Sequence, residues 1–220
     1  VNFLFVFITA RRIVRIRWYF NMKIWKRIIA ISFPIAISVV LNLVYLKIGA
    51  VFLSIYKTQA EVGIFGAPFK VLEIIVAFPA IFAGLLTPPL AEAFSQENKA
   101  KFTQIYKKAF DALSIIVFPM IVTTLWYAPQ IMRLIRADFP GTDVVLRVLI
   151  FAIGMIFFGN LFGNTVVAID KQRRMVFGYF FCALLAVAVN YVLIQKYSSI
   201  GAAYSTVFSE TFIAFFAAYI

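Results

Sequence analysis

The sequence predicts an all-α protein, a polytopic bundle of transmembrane helices, and three observations carry that expectation. Of the 220 residues, 64% are hydrophobic and 14% charged, where a soluble domain is about 45–50% apolar and about 25% charged. Mean hydropathy is +0.96. Six long apolar stretches separated by short, mostly basic loops fill nearly everything after residue 27. Each meets or approaches the roughly 20 residues that a helix needs to cross a hydrocarbon core. Runs such as 115–122 and 182–189 do not alternate as barrel strands do, and without water only helices satisfy such a backbone internally.

Taken in order, residues 1–10 (VNFLFVFITA) have the composition of the end of a preceding span. A secretory signal is a poor account of them, because the charge follows the apolar run instead of preceding it. We read the chain as a piece of a longer protein. Residues 11–27 form a basic linker with seven Lys or Arg and no acid. Residues 28–220 are then a six-helix unit with spans near 28–55, 64–90, 110–127, 144–168, 175–194 and 200–220. The first two exceed what a bilayer requires, which predicts tilt or extension past its surface. The longest connection, 91–108, places Phe102, Ile105, Tyr106 and Ala109 at helical spacing, so its second half is expected to lie on the membrane surface. Pro34, Pro68, Pro79 and Pro119 are expected to bend their helices.

Charge sets the orientation. Residues 11–27, the loop lysines 99, 101, 107 and 108, and Lys171, Arg173 and Arg174 put fourteen cations on one side. The other side has five, Lys57, Arg133, Arg136, Arg147 and Lys196. The richer side is expected to be cytoplasmic, in the cell's cytoplasmic membrane. The net charge of +12 is accounted for by these topology determinants beside anionic headgroups. It does not form an aromatic-interleaved basic groove, so nucleic acid is not an expected partner. Trp18, Tyr19 and Trp25 on one side and Trp126 and Tyr127 on the other fit interfacial belts.

The chain has no His and one cysteine, Cys182. That leaves no Cys/His zinc set, no intrachain disulfide and no Ser-His or Cys-His nucleophile pair. Gly154 and Gly159 have P-loop spacing, but Asn160 and Leu161 stand where Lys and Ser/Thr are required. No cofactor and no metal site is expected.

Intramembrane polar residues are the candidate functional ones. Lys70 and Glu73 share a helix face near mid-membrane, where each would cost roughly 2.5–3.5 kcal/mol facing lipid. They should face a cavity or each other, and a structural ion pair is the plain alternative. Lys47 lies near the outer end of its helix, where snorkelling explains it; the sharper reading is a cation for a phosphate-bearing head. Glu210 sits amid Ser205, Thr206, Ser209 and Thr211. It is either bonded to those hydroxyls, or to Asn190 or Asn164, or is a proton-titrating carboxylate for coupling. Asn160 and Asn164 share a face, and Gly159-x-x-x-Gly163 reads as a helix-packing element.

The run 34–94 resembles the helix pair that opens the second lobe of polysaccharide-repeat flippases, in the multidrug/oligosaccharidyl-lipid/polysaccharide (MOP) exporter superfamily. The matching features are the polar-interrupted end of the first helix, the EVGIF turn at 61–65, Lys70 with Glu73, and Pro88-Pro89. A second patch, AIDKQRR at 168–174 followed by IGAA at 200–203, resembles that family's later loop and final helix start. Where many relatives have a basic residue, an apolar one and Asp, this chain has Lys47, Ile48 and Gly49.

The resemblance implies one six-helix lobe of a two-lobe transporter, with an N-terminal lobe of the same protein as partner. Its substrate would be a polyprenyl-linked oligosaccharide, flipped across the bilayer without chemistry. Lys70, Glu73, Lys47 and Asn42 would line the cavity, and Glu210 would serve any coupling. The alternatives are an ion-coupled small-molecule exporter of the same superfamily and a membrane glycosyltransferase or polymerase. The last would draw on Asp138 or Asp143 of the outer loop.

Overall fold

The computed structural model describes residues 21–135 and 139–220, so residues 1–10, the first part of the basic linker and Asp138 lie outside it. Among the described residues there are six helices and no strand: α1 Met22–Tyr56, α2 Gln59–Ile75, α3 Ala77–Ser95, α4 Lys99–Leu134, α5 Thr142–Ala168 and α6 Gln172–Tyr219. The contact pattern divides the chain between residues 33 and 34. The description below concerns the second unit, Pro34–Ile220.

Proline and local capping set where helices break. The second apolar run is two helices because Pro79 has no N–H for the carbonyl of Ile75 and its ring crowds that carbonyl; α2 ends at Ile75 and α3 starts at Ala77. Together they form one apolar segment, Gln59–Ser95, long enough to span. Thr58 caps α2 by accepting from the Glu61 amide, and Asn98 caps α4 by accepting from the Lys101 amide at 3.0 Å. Two turns at the same end are closed alike. Glu97 (φ 54°) and Asp170 (φ 57°) adopt the left-handed conformation, and the amides of Asn98 and Lys171 return to Ala93 and Val166 at 3.0 Å.

The connection 91–108 differs from expectation. The turn between α3 and α4 is only three residues, and α4 runs unbroken from Lys99 to Leu134. Its 36 residues measure about 54 Å at ~1.5 Å per residue, well beyond a core of about 30 Å. Residues 99–109 therefore continue the axis of the span and do not form a separate surface helix.

The last helix contains two spans. At Ser198 the backbone leaves helical geometry (φ 52°, ψ −128°), and residues 172–197 and 199–219 fold back antiparallel. Cys182 Sγ meets the Ser209 carbonyl at 3.5 Å, and Met175 packs with Ala217. A Cβ on Gly201 would run into the main chain of Leu193, so glycine is required where the arms meet. Five helical segments are long and apolar enough to cross a membrane, and the doubled last one restores the expected six crossings.

α5 is the central helix. It packs against α2, α3, α4 and α6, and 56% of its most apolar window is buried, against 17% for α1. Leu149, Ile153, Phe157 and Leu161 form its core stripe with Phe65, Leu72, Leu113 and Val117. At one end of the bundle the Lys57 ammonium donates to the Gln195 carbonyl at 3.2 Å, and Glu61 accepts from the Ser199 amide at 3.2 Å. These contacts join the α1–α2 turn to the tip of α6. At the opposite end Lys171 donates to the carbonyl of Ile220 at 2.9 Å. The alternation agrees with the charge pattern read from the loops.

Candidate functional site: a cavity between α1 and α5

A cavity of about 600 Å³ opens where α1, α2, α3, α5 and α6 surround a gap. It holds four of the five residues expected at a site, Asn42, Lys47, Glu73 and Glu210. Its charged end belongs to α1 and α2, where the Lys47 ammonium is bonded to Glu73 and lies 4.8 Å from the centroid of the Phe69 ring. Lys47 thus does not simply snorkel.

Lys70 is placed differently from expectation. It is exposed and absent from the cavity lining, and among the described residues it forms no ion pair with Glu73. Residues three apart on a helix are offset around the axis, so Glu73 faces α1 while Lys70 points away from the gap. The i,i+3 spacing was visible in sequence; the nearer cation across the gap was not.

Glu210 is 5% exposed and lines the other edge. Its neighbours are the hydroxyl of Tyr45 on α1, with Tyr179 and Cys182 on the first arm of α6. Two of the nearby polar groups expected to bind it serve their own backbones: Thr206 donates to Ala202 at 2.9 Å and Asn190 to Ala186 at 2.7 Å. Asn42 is fixed by its amide donating to the Tyr45 hydroxyl at 3.0 Å. Tyr45 therefore joins two candidates, although inside an apolar run an aromatic residue carries no distinguishing signal.

The third wall is an amide ladder on α5. Asn160 donates to the Ile156 carbonyl and Asn164 to the Asn160 carbonyl, each at 2.9 Å, and Thr87 of α3 donates to Asn164 Oδ1 at 3.0 Å. Gly159 and Gly163 line the cavity beside them. A Cβ on Gly163 would meet nothing within 4 Å, so this glycine does not serve close helix packing as its motif suggested. It widens the gap. The sequence did show the paired Asn residues, but spacing alone does not tell a cavity wall from a buried seam.

The site thus has a cation at one end, carboxamides at the other and a buried carboxyl at its edge. That set can bind a polar, anionic group. Among the described residues no group of His, Cys, Asp and Glu could hold a metal ion. Asp143 sits in the first turn of α5, 3.9 Å from Arg147 and away from the cavity lining.

Comparison with known proteins bears on the family and the fold. The family described as "Polysaccharide biosynthesis protein" matches residues 1–138. The capsular polysaccharide biosynthesis protein CapF of Staphylococcus aureus is 24% identical over 219 residues, covering 92% of this chain and 54% of CapF; the chain spans about half the length of this curated relative. Among solved structures, a MATE protein in complex with MaD3S superimposes with a TM-score of 0.75 at 19% identity, over 86% of this chain and 43% of that one. An outward-facing MATE family transporter of the MOP superfamily gives 0.69 at 21%, over 86% and 43%. A MOP superfamily transporter from Pyrococcus furiosus gives 0.67 at 22%, over 86% and 42%. With its six crossings and its half-length match to these folds, the chain belongs to the polysaccharide biosynthesis protein family, as a multi-pass membrane protein with the fold of one half of a MOP-superfamily protein.

Proposed function

We propose that the chain forms one lobe of a transporter that flips a polyprenyl-linked oligosaccharide from the cytoplasmic to the outer leaflet of the cytoplasmic membrane. The observation that carries this reading is the cavity itself, a chamber lined chiefly by apolar residues but carrying a lysine, two glutamates and several carboxamides, within a body of membrane-length helices. Its Lys47 suits a diphosphate, its carboxamides on Asn42, Asn160 and Asn164 suit sugar hydroxyls, and the lipid tail stays in the surrounding bilayer. A second lobe of the same protein covers the open side, since alternating access needs two parts rocking about a shared site. No bond is made or broken.

Loss of the protein in cells should remove surface glycan while the lipid-linked intermediate accumulates on the inner leaflet. Proteoliposomes containing the full-length, two-lobe protein should transfer a fluorescent lipid-linked saccharide between leaflets. If the intermediate itself is missing and sugar transfer fails in a detergent extract, the protein is a glycosyltransferase or polymerase and the reading falls. A second reading, an ion-coupled exporter of small molecules, is favoured by one feature: the buried Glu210 beside Tyr45 at the cavity edge. Drug efflux that stops with Glu210→Gln while glycan display continues would select it.

A further inference from the structure

Lys47 has two partners in the cavity wall, the Glu73 carboxylate and the Phe69 ring. A second cation, Lys70, lies one turn from Glu73 on the same helix and has no ion pair among the described residues. We propose that Glu73 is an internal stand-in for the substrate's phosphate, held by Lys47 in the empty cavity and released to Lys70 when a diphosphate enters. The proposal rests on reading the cavity as a head-group site.

Three physical points support the exchange. A tethered carboxylate acts at an effective concentration of roughly millimolar or more, so a ligand must bind Lys47 better than one carboxylate does. A diphosphate carries more than one negative charge and meets that condition through a larger Coulomb attraction, whereas a monoanion gains little over Glu73. The released carboxylate is not left alone, because residues at i and i+3 are neighbours on a helix surface and Lys70 stands at that spacing. Meanwhile the Phe69 ring holds the Lys47 ammonium in place during the swap. Glu73 thereby sets a threshold, lowering the apparent affinity of every anionic head alike, which a diphosphate overcomes through its larger charge.

Calorimetric titration of inorganic pyrophosphate and inorganic phosphate into the full-length protein in nanodiscs tests this. Both partners of the pair are about half exposed, 50% for Lys47 and 40% for Glu73, so its strength is discounted for screening and the expected changes are about fivefold. Glu73→Gln should tighten both ligands by a similar factor, because a tethered competitor lowers the binding-competent fraction of Lys47 equally for each. Glu73→Ser gives the same reading should Glu73→Gln not fold. Lys47→Gln should lose pyrophosphate. Lys70→Gln should weaken pyrophosphate in the wild-type background and have no effect beside Glu73→Gln. A polyprenyl diphosphate added to the nanodisc assigns the site to a lipid-borne head if it displaces pyrophosphate and to a free diphosphate if it does not; the exchange holds either way.

Unchanged affinities in Glu73→Gln, or absence of pyrophosphate binding in every form, would overturn the proposal. So would an equal loss from Lys70→Gln in both backgrounds, which would make Lys70 a direct ligand. Pyrophosphate binding and flipping that both survive Lys47→Gln sink this inference while leaving the flippase reading intact. Tightening by Glu73→Gln in a protein that flips no lipid-linked saccharide does the reverse.

Discussion

Three glycine-to-alanine substitutions make the same chemical change in three environments, and the structure assigns each a different result. At Gly201 the new methyl meets main-chain atoms of Leu193, with Ile194 N at 3.0 Å. Main chain cannot rotate aside, so the two arms of α6 must part. Overpacking of this kind costs about 1–3 kcal/mol, and with no flexible side chain to yield, the upper end applies. Alanine returns up to about 1 kcal/mol through its higher helix propensity, leaving a net loss of about 2 kcal/mol. At about 2–4 °C per kcal/mol for a chain of this size, Gly201→Ala should melt about 4–8 °C lower. Gly163 and Gly66 have nothing within 4 Å of a Cβ, so alanine there keeps only the propensity gain and melting should hold or rise by about 2–4 °C. The last two separate through function, because Gly163 lines the cavity and Gly66 does not: Gly163→Ala should slow flipping and Gly66→Ala should not. Fluorescence-detected size-exclusion melting in one detergent, with flipping in proteoliposomes, reads all three. A Gly201→Ala protein as stable as the Gly163→Ala protein would refute the packing argument for the α6 hairpin.

Two further outcomes are expected. In a Cys182→Ser background, cysteines at Ser95 and Arg173 should resist an impermeant thiol reagent applied outside intact cells while one at Gln59 is labelled, and the inverse pattern would reverse the orientation drawn from loop charge. Thr87→Val removes the donor to Asn164 Oδ1 and should cost about 1 kcal/mol of stability; in a double-mutant cycle with Asn164→Leu the coupling should be about 0.6 kcal/mol, and strict additivity would mean that this bond does not tie α3 to α5.

The sequence by itself determined the solvent, the class and the number of crossings, because transfer of an apolar run into hydrocarbon is a sum over neighbouring residues and needs no knowledge of the fold. Gly201 could be read only as part of a helix start, and Pro79 only as a bend. The main chain of Leu193 makes Gly201 the place where the two arms of α6 meet, while Pro79 bends the segment Gln59–Ser95 as expected without turning it back. The polar residues were visible one by one, since each is costly in lipid wherever it faces. Their pairing was not. Glu73 stands three residues from Lys70 but meets Lys47, Glu210 stands among hydroxyls but meets Tyr45, and Gly163 sits in a packing motif but faces open space. In each case spacing along one helix fixes only which residues share a face, while the partner arrives from another helix whose rotation and distance are set by how the whole bundle packs around α5.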